Sequence, residues 1–132
     1  MKTHQARIEA SIRESIAAKQ RFLATRVDAL ARIAQAALKA LRRGGKIVLL
    51  GNGGSAADAC HIATELVGRF KKDRRAIPAL ALGTNVQLLT AIANDLGYEE
   101  SFAREVDAHV GKKDLVIAIS TSGNSPNVLR AV

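Results

Sequence analysis

Apolar positions near the start of the chain repeat with the period of an α-helix. Ile8, Ile12 and Ile16 recur every four residues within the stretch 3–23 and form a narrow stripe flanked by Arg and Glu. Such a stripe is typical of a helix that packs against another helix. The spacing therefore predicts an amphipathic helix whose partner lies in the same subunit or in a second one.

A broader helical stripe follows and ends at two glycines. Thr25 and Asp28 have the spacing of a capping box, so we expect Thr25 to begin this second helix. The helix should end at Arg42–Gly45, where cations complement the helix dipole and glycine allows a left-handed cap. Residues 1–44 are predicted to be a helical lead-in that packs on the following domain, 45–132, and on other subunits.

After these helices, continuous apolar runs alternate with helical segments. The runs predict strands at Ile47–Leu50, Ala79–Leu82 and Leu115–Ile119. Helices are expected at 56–69, 87–95 and 99–110, and a last one after Ser125 as N-cap and Pro126 at the first helical position. Alternating strands and helices predict an α/β domain with right-handed crossovers. The third strand would leave an apolar edge, so either the chain is a fragment or a partner covers that edge.

Composition and charge narrow the function classes. Hydrophobic residues make up 48% and aromatic residues 3%, which predicts a core of Ala, Leu, Ile and Val. A single Cys60, no signal-like segment and no run of ~18 apolar residues favour a soluble, cytoplasmic protein without membrane contact. The net charge of +8 fits nucleic acid, anionic membranes or phosphorylated small molecules equally. A basic cluster is interpreted as a solvated connector: Arg69, Lys71, Lys72, Arg74 and Arg75.

Two loops with the same placement are candidates for anion binding. The residues Gly51–Ser55 join a strand to a helix, where backbone amides favour anions. A dinucleotide site is disfavoured because Gly83 and Thr84 stand where a ribose-binding carboxylate is expected. A plain turn with a Ser55/Asp58 capping box is the alternative interpretation.

The second loop carries hydroxyl groups and also follows an apolar strand. Hydroxyls and amides together can hold a phosphate, and ligands of open α/β sheets bind at the carboxyl ends of strands. A merely polar turn is the alternative, although it does not require so many hydroxyls. The hydroxyl residues are Ser120, Thr121, Ser122 and Ser125.

The helix after the first loop carries a candidate metal or acid–base pair. His61 and Glu65 are four residues apart and share a face with Asp58, so they can supply two metal ligands or a base with its neighbour. The alternative is an exposed polar pair. Asn94 and Asp95 are predicted to be a helix C-cap or, alternatively, a contact to a substrate hydroxyl. The opposite helix face is expected to pack on the sheet: Ala59, Ile62, Ala63 and Leu66.

Three motifs in order carry a family resemblance: GNGGSAADACH with ATELVGRF, then AIANDLGY, then AISTSGNSPNV. From about Gly45 onward the chain resembles the SIS (sugar isomerase) domain of bacterial sedoheptulose-7-phosphate isomerases. The resemblance implies N-terminal helices followed by a doubly wound, flavodoxin-like parallel sheet, incomplete at the C-terminus. It also implies sugar-phosphate contacts from Asn52, Gly53, Gly54, Ser55, Glu65, Asn94, Asp95, Ser120, Thr121, Ser122 and Ser125.

The resemblance further implies zinc bound by His61 and Glu65, with Glu65 also transferring a proton. The family's other two ligands, a Gln and a second catalytic His, would fall beyond Val132. The implied reaction interconverts D-sedoheptulose 7-phosphate and D-glycero-D-manno-heptose 7-phosphate through an enediol, for heptose and lipopolysaccharide biosynthesis. Members of the family form tetramers with sites between subunits, and we expect neither nucleic acid nor membrane as a partner.

Two non-catalytic classes share the SIS fold. A replication initiator-associating protein binds another protein and departs from the isomerase pattern at the position of Glu65, which this chain retains. A sugar-phosphate sensor that regulates transcription would need a DNA-reading element, and none is apparent in the sequence. We therefore expect isomerase activity of the parent protein rather than of the 132 residues alone.

Overall fold

The computed structural model describes residues 2–132. The chain divides into two compact units, one that ends at Ala36 and one that covers Ala37–Val132. The division falls inside the second helix, whereas the sequence-based boundary between residues 44 and 45 follows the end of that helix.

The first unit contains α1 (Lys2–Thr25) and the first part of α2 (Val27–Arg42). The predicted capping role of Thr25 is wrong, because its hydroxyl donates to the carbonyl of Arg21 at 2.7 Å within α1. Such back-bonding to the preceding turn is a common use of a Thr side chain in a helix. The apolar stripe of α1 is solvent-exposed in the single chain, with exposed fractions of 61%, 55% and 50% for Ile8, Ile12 and Ile16.

The second unit is a three-stranded parallel sheet with helices on both faces. The strands lie in the order β2–β1–β3, which is the beginning of the flavodoxin-like order. One 3₁₀ turn, Tyr98–Glu100, precedes α5. The other elements are β1 (Ile47–Gly51), α3 (Gly54–Val67), β2 (Ala79–Ala81), α4 (Val86–Asp95), α5 (Ser101–His109), β3 (Leu115–Ile119) and α6 (Pro126–Arg130). The predicted doubly wound α/β class is confirmed.

The central strand β1 is buried along its whole length and contributes to two cores. Ile47 and Leu49 belong to the core on one face of the sheet, where α3 packs through Ala59 and Ala63. The alternate residues of β1 belong to the other core, together with Leu82, Phe102 and Val128. This double burial explains why the strand is a continuous apolar run rather than an alternating one.

Strand β3 pairs with β1 in continuous register and forms an edge of the three-stranded sheet. The register runs from Ile47 opposite Leu115 to Gly51 opposite Ile119. The predicted edge position of this third strand is thus confirmed within the described residues. Because the two strands are parallel and end opposite one another, the loops that follow them emerge side by side.

The junction of β1 and α3 requires glycine at position 51. A Cβ atom built on Gly51 would lie 2.8 Å from the carbonyl oxygen of Ile119 and 2.8 Å from Cβ of Ser55. Neither neighbour can retreat without moving a strand end or the start of a helix. Glycine at this position therefore allows β1, β3 and α3 to approach closely.

We predict that Gly51→Ala lowers the free energy of unfolding by about 1–3 kcal/mol, the usual cost of overpacking. Gly54→Ala is the matched control, because a Cβ at Gly54 meets nothing within 4 Å. Urea denaturation followed by circular dichroism measures both variants. Equal stability of the two variants would contradict the steric requirement at Gly51.

At the opposite end of the sheet, Asp114 ties the beginning of β3 to the beginning of β1. Its carboxylate accepts hydrogen bonds from the backbone N–H of Lys46 at 2.8 Å, from Lys46 Nζ at 2.6 Å and from the N–H of Gly111 at 2.8 Å. The side-chain bond from Lys46, followed by the bond from Gly111, lowers the pKa of Asp114 to about 2. The reason is that these bonds favour the ionised carboxylate.

A carboxyl whose folded pKa lies below its ordinary value of 3.8 stabilises the fold above that value, and this stabilisation is lost as pH falls through about 2. We therefore expect Asp114→Asn to destabilise the protein by about 1–3 kcal/mol at neutral pH. The difference from the wild type should shrink from roughly pH 4 downward. Unfolding curves across this range test the prediction, with the exposed Asp107→Asn as control. A difference that does not change with pH would contradict the assigned cause.

Candidate functional site

A polar cleft lies where β1 and β3 end. It encloses about 310 Å³ and combines residues of the loop after β1 with residues of the loop after β3. The strand order places this cleft at the topological switch point, where open α/β sheets bind their ligands. The lining residues are Asn52, Ser55, Ile119, Ser120, Thr121, Ser122 and Ser125.

The first loop presents backbone donors at the start of α3. Gly53 adopts φ 54° and ψ −120°, a conformation that favours glycine, and α3 begins at Gly54. The alternative Ser55/Asp58 capping box is wrong, because this start places Ser55 inside the first turn. The N–H groups of Gly53 and Gly54 have no hydrogen-bond partner among residues 2–132, so they can bind an anion at the positive end of the helix.

The second loop is organised by its own hydroxyl groups. The oxygens of Ser120 and Ser125 lie 3.2 Å apart, and the N–H of Gly123 donates to Ser120 Oγ at 3.1 Å. The N–H of Asn124 donates to Ser122 Oγ at 3.2 Å. Because Ser122 accepts this bond, its own proton remains available to a ligand. Ser125 occupies the predicted N-cap position of α6 but makes no side-chain capping bond.

A buried amide behind the cleft was missed by sequence reasoning. Asn127 is 2% exposed and exchanges two hydrogen bonds with Asn52, at 2.8 and 2.9 Å. Tyr98 Oη also donates to Asn52 Oδ1, at 2.9 Å. Asn127 and Tyr98 both lie within motifs that carry the family resemblance. However, they lie 75 and 46 positions from Asn52, and no local spacing indicates that they meet it.

The predicted pair on α3 is brought together in a different groove. His61 Nε2 and Glu65 Oε1 lie 3.4 Å apart, and the two side chains are 73% and 35% exposed. Their groove encloses about 450 Å³ and is also lined by Ile62, Leu66, Phe70, Arg74 and Ile77. The prediction that Ile62 packs on the sheet is wrong, because Ile62 is 41% exposed and lies on the groove side of the helix.

Arg74 fixes the end of the helix that carries this pair. Its guanidinium donates to the carbonyl of Leu66 at 2.9 Å and to the carbonyl of Glu65 at 2.6 Å, in the last turn of α3. The last carbonyls of a helix have no intrahelical partner and need such donors. The other four members of the basic cluster are exposed, as a solvated connector requires, whereas Arg74 is partly buried and has a structural role.

Asn94 and Asp95 lie at the end of α4, outside both of these grooves. Asn94 Nδ2 donates to Asp95 Oδ1 at 2.8 Å, and both side chains are exposed. Asp95 lines a third groove, between α4 and α5, together with Arg104 and Glu105. Within one chain the structure therefore gathers the hydroxyl loop and the first loop, but it does not bring Asn94, Asp95 or the α3 pair into the same cleft.

Across the described part of the chain, no group of three or more His, Cys, Asp and Glu side chains is placed to hold a metal ion. No helix within residues 2–132 combines the length and the apolar character needed to cross a bilayer.

Comparison with known proteins decides the family. Residues 12–132 match the SIS domain family. The chain belongs to the SIS domain family. Among curated SIS relatives, a phosphoheptose isomerase of Thermodesulfovibrio yellowstonii is 47% identical over 126 residues, which are 96% of this chain and 63% of the relative. A phosphoheptose isomerase of Nitratiruptor is 60% identical over 95 residues, which are 72% of this chain and 51% of the relative.

Solved SIS structures agree with this assignment. The phosphoheptose isomerase GmhA from Neisseria gonorrhoeae is 42% identical, with a TM-score of 0.89 over 96% of this chain and 66% of that one. A phosphoheptose isomerase from Francisella tularensis is 35% identical, with a TM-score of 0.91 and the same coverage. The predicted α/β SIS fold is confirmed, and this SIS chain spans about two thirds of the length of these structures.

Proposed function

We propose that the protein containing this chain is a phosphoheptose isomerase that interconverts D-sedoheptulose 7-phosphate and D-glycero-D-manno-heptose 7-phosphate. The observation that carries the proposal is the cleft at the switch point, which is lined by hydroxyl groups of two loops. The unpaired N–H groups of Gly53 and Gly54 lie between Asn52 and Ser55, which both line the cleft. A curated relative and a solved structure that each align with 96% of this chain are phosphoheptose isomerases. A dinucleotide site in this cleft is disfavoured, because it would require a carboxylate that binds the ribose. Gly83 and Thr84 occupy the position where that carboxylate is expected.

The cleft is proposed to bind the phosphate group of the sugar. The N–H groups of Gly53 and Gly54 supply backbone donors, and the hydroxyls of Thr121, Ser122 and Ser125 supply side-chain donors. No lysine is needed, because hydrogen bonds to a phosphate oxygen are charge-assisted and stronger than those to a neutral acceptor. The open chain of the sugar would then extend from the cleft towards the remaining predicted contacts.

The residues of α3 fit a zinc site in part. An imidazole and a carboxylate whose nearest atoms are 3.4 Å apart match the nitrogen and oxygen ligands that zinc takes in proteins. We propose that His61 and Glu65 hold two of its positions and that the parent protein supplies the others, a Gln and a His as the family resemblance implies. When bound, zinc would orient the sugar oxygens and stabilise negative charge that develops on them.

Glu65 is proposed to transfer the proton between the two carbons. Its carboxylate would take a proton from the carbon next to the carbonyl carbon and return it to the former carbonyl carbon, while a proton moves from the hydroxyl oxygen to the carbonyl oxygen. The substrate thus passes through an enediol, and Glu65 ends as the carboxylate that it was at the start. Asn94 and Asp95 are the other contacts proposed for the sugar. Because neither residue lines the phosphate cleft, they would contact the sugar either from a second subunit or at the far end of an extended substrate. Arg74 holds the helix end on which Glu65 stands.

The proposed assembly is a homotetramer with sites between subunits. The exposed isoleucine stripe of α1 provides an apolar surface for another copy. We further propose a cytoplasmic enzyme that serves heptose and lipopolysaccharide biosynthesis and has neither nucleic acid nor membrane as a partner. A replication initiator-associating protein or a sugar-phosphate sensor is the second candidate, and retention of both His61 and Glu65 favours the enzyme.

The experiment compares wild type and Glu65→Gln in the natural gene product that contains this sequence. Conversion of sedoheptulose 7-phosphate is followed by NMR in the presence of zinc. Because Gln keeps the shape of Glu65 but accepts no proton, we expect a loss of about 10²–10⁴-fold in kcat. The exposed Asp107→Asn is the control for removing a carboxylate and should keep full activity.

Two outcomes would count against this account. A wild-type protein that binds the sugar phosphate without converting it would support a sensor or a protein-binding module in place of an enzyme. Full activity of Glu65→Gln would remove the proton-transfer role from Glu65 while leaving the isomerase assignment intact.

A further inference from the structure

The carboxamides of Asn52 and Asn127 form a closed pair behind the phosphate cleft. Asn52 Nδ2 donates to Asn127 Oδ1 at 2.8 Å, and Asn127 Nδ2 donates back to Asn52 Oδ1 at 2.9 Å. The second N–H of Asn127 is directed to Ser101 Oγ at 3.3 Å, and Tyr98 Oη donates to Asn52 Oδ1 at 2.9 Å. The network therefore connects the loop after β1 with α6 and with the turn that precedes α5.

The hydrogen bonds that Asn52 already makes determine which of its donors and acceptors are free to bind a ligand. An amide oxygen has two lone pairs and an amide nitrogen has two N–H groups. Tyr98 and Asn127 occupy both lone pairs of Asn52 Oδ1, and Asn127 occupies one N–H of Asn52. The other N–H has no partner among residues 2–132, and Asn52 lines the cleft. Asn52 can therefore offer a ligand one donor and no acceptor.

The orientation of the Asn52 amide is determined by this network. If Asn52 alone turned over, its oxygen would face Asn127 Oδ1, its nitrogen would face Asn127 Nδ2, and the bond from Tyr98 would be lost. Asn127 is 2% exposed, so water cannot replace the two bonds to Asn127 that such a rotation would break. Of the two groups that an asparagine offers, only the N–H remains directed to the cleft.

We propose that Asn127 and Tyr98 are positioning residues that make Asn52 a single, oriented N–H donor for an oxygen of the sugar phosphate. The inference rests on the proposed function, because it deepens the role of the same cleft. It assigns the ligand atom a chemical class: an acceptor such as a phosphate or carbonyl oxygen. Because α6 directly follows the hydroxyl loop, Asn127 also ties the position of that loop to Asn52.

The test uses the natural gene product, D-sedoheptulose 7-phosphate as the probe, and side-chain amide NMR together with steady-state kinetics. In the wild type, one Asn52 side-chain proton should shift on saturation with the sugar phosphate, while the proton bonded to Asn127 keeps its position. Asn127→Leu removes the paired amide at similar volume and should raise KM about tenfold, the effect of one hydrogen bond, with a smaller change in kcat.

Tyr98→Phe is the milder variant, because it keeps the ring and removes one bond to Asn52 Oδ1. It should raise KM about threefold and should let the Asn52 amide signals broaden or move in the unliganded protein. Leu129→Ala, on the exposed side of α6, is the control and should leave both KM and the Asn52 signals unchanged. If Asn127→Leu does not fold, Tyr98→Phe alone decides the test.

Two results would overturn the proposal alone: an active wild type in which neither Asn52 proton responds to the sugar phosphate, or an unchanged KM in both variants. A wild type that neither binds nor converts the sugar phosphate would overturn the proposed function and this inference together. A KM that rises in both variants with a single responding proton in the wild type would establish the positioning role.

Discussion

The pairing of β1 with β3 is the interaction on which the remaining structure depends. Five successive residue pairs hold the two parallel strands in one register, and β1 is buried along both faces of the sheet. A shift by one residue would turn every β1 side chain to the opposite core. Because Gly51 and Ile119 end the strands opposite one another, this register also places the two polar loops side by side. The cleft is thus a consequence of strand pairing rather than of the loops themselves.

Polar contacts at both ends of the two strands complete this arrangement. At the beginning of the strands, the Asp114 carboxylate binds the backbone and the side chain of Lys46. At the end that carries the cleft, the Asn52–Asn127 pair joins the first loop to the helix that follows the second. The close contacts of Gly51 with Ile119 and Ser55 keep the end of β1 near the end of β3 and the start of α3. Loop geometry suited to a small anion therefore rests in part on side chains outside the cleft lining, among them Asp114 and Asn127.

Local patterns predicted the elements well, since continuous apolar runs and glycine boundaries are set by burial and backbone freedom. The two loops at the switch point were predictable for the same reason, because strand–loop–helix order places them at one sheet edge. The capping roles of Thr25 and Ser55 were predicted wrongly, because short polar side chains can bond to any of several nearby backbone groups. Asn127 and Tyr98 could not be found from spacing, since their contacts to Asn52 exist only after the sheet and α6 have packed.

The central claim is that the loops after β1 and β3 together bind the phosphate group of a sugar phosphate. The most direct measurement is a titration of the protein with D-sedoheptulose 7-phosphate, followed by the backbone amide shifts in ¹H–¹⁵N NMR spectra. The account predicts that the largest shifts fall on Gly53, Gly54 and the residues Ser120–Ser125. Shifts confined to the groove beside His61, or to the groove between α4 and α5, would contradict it.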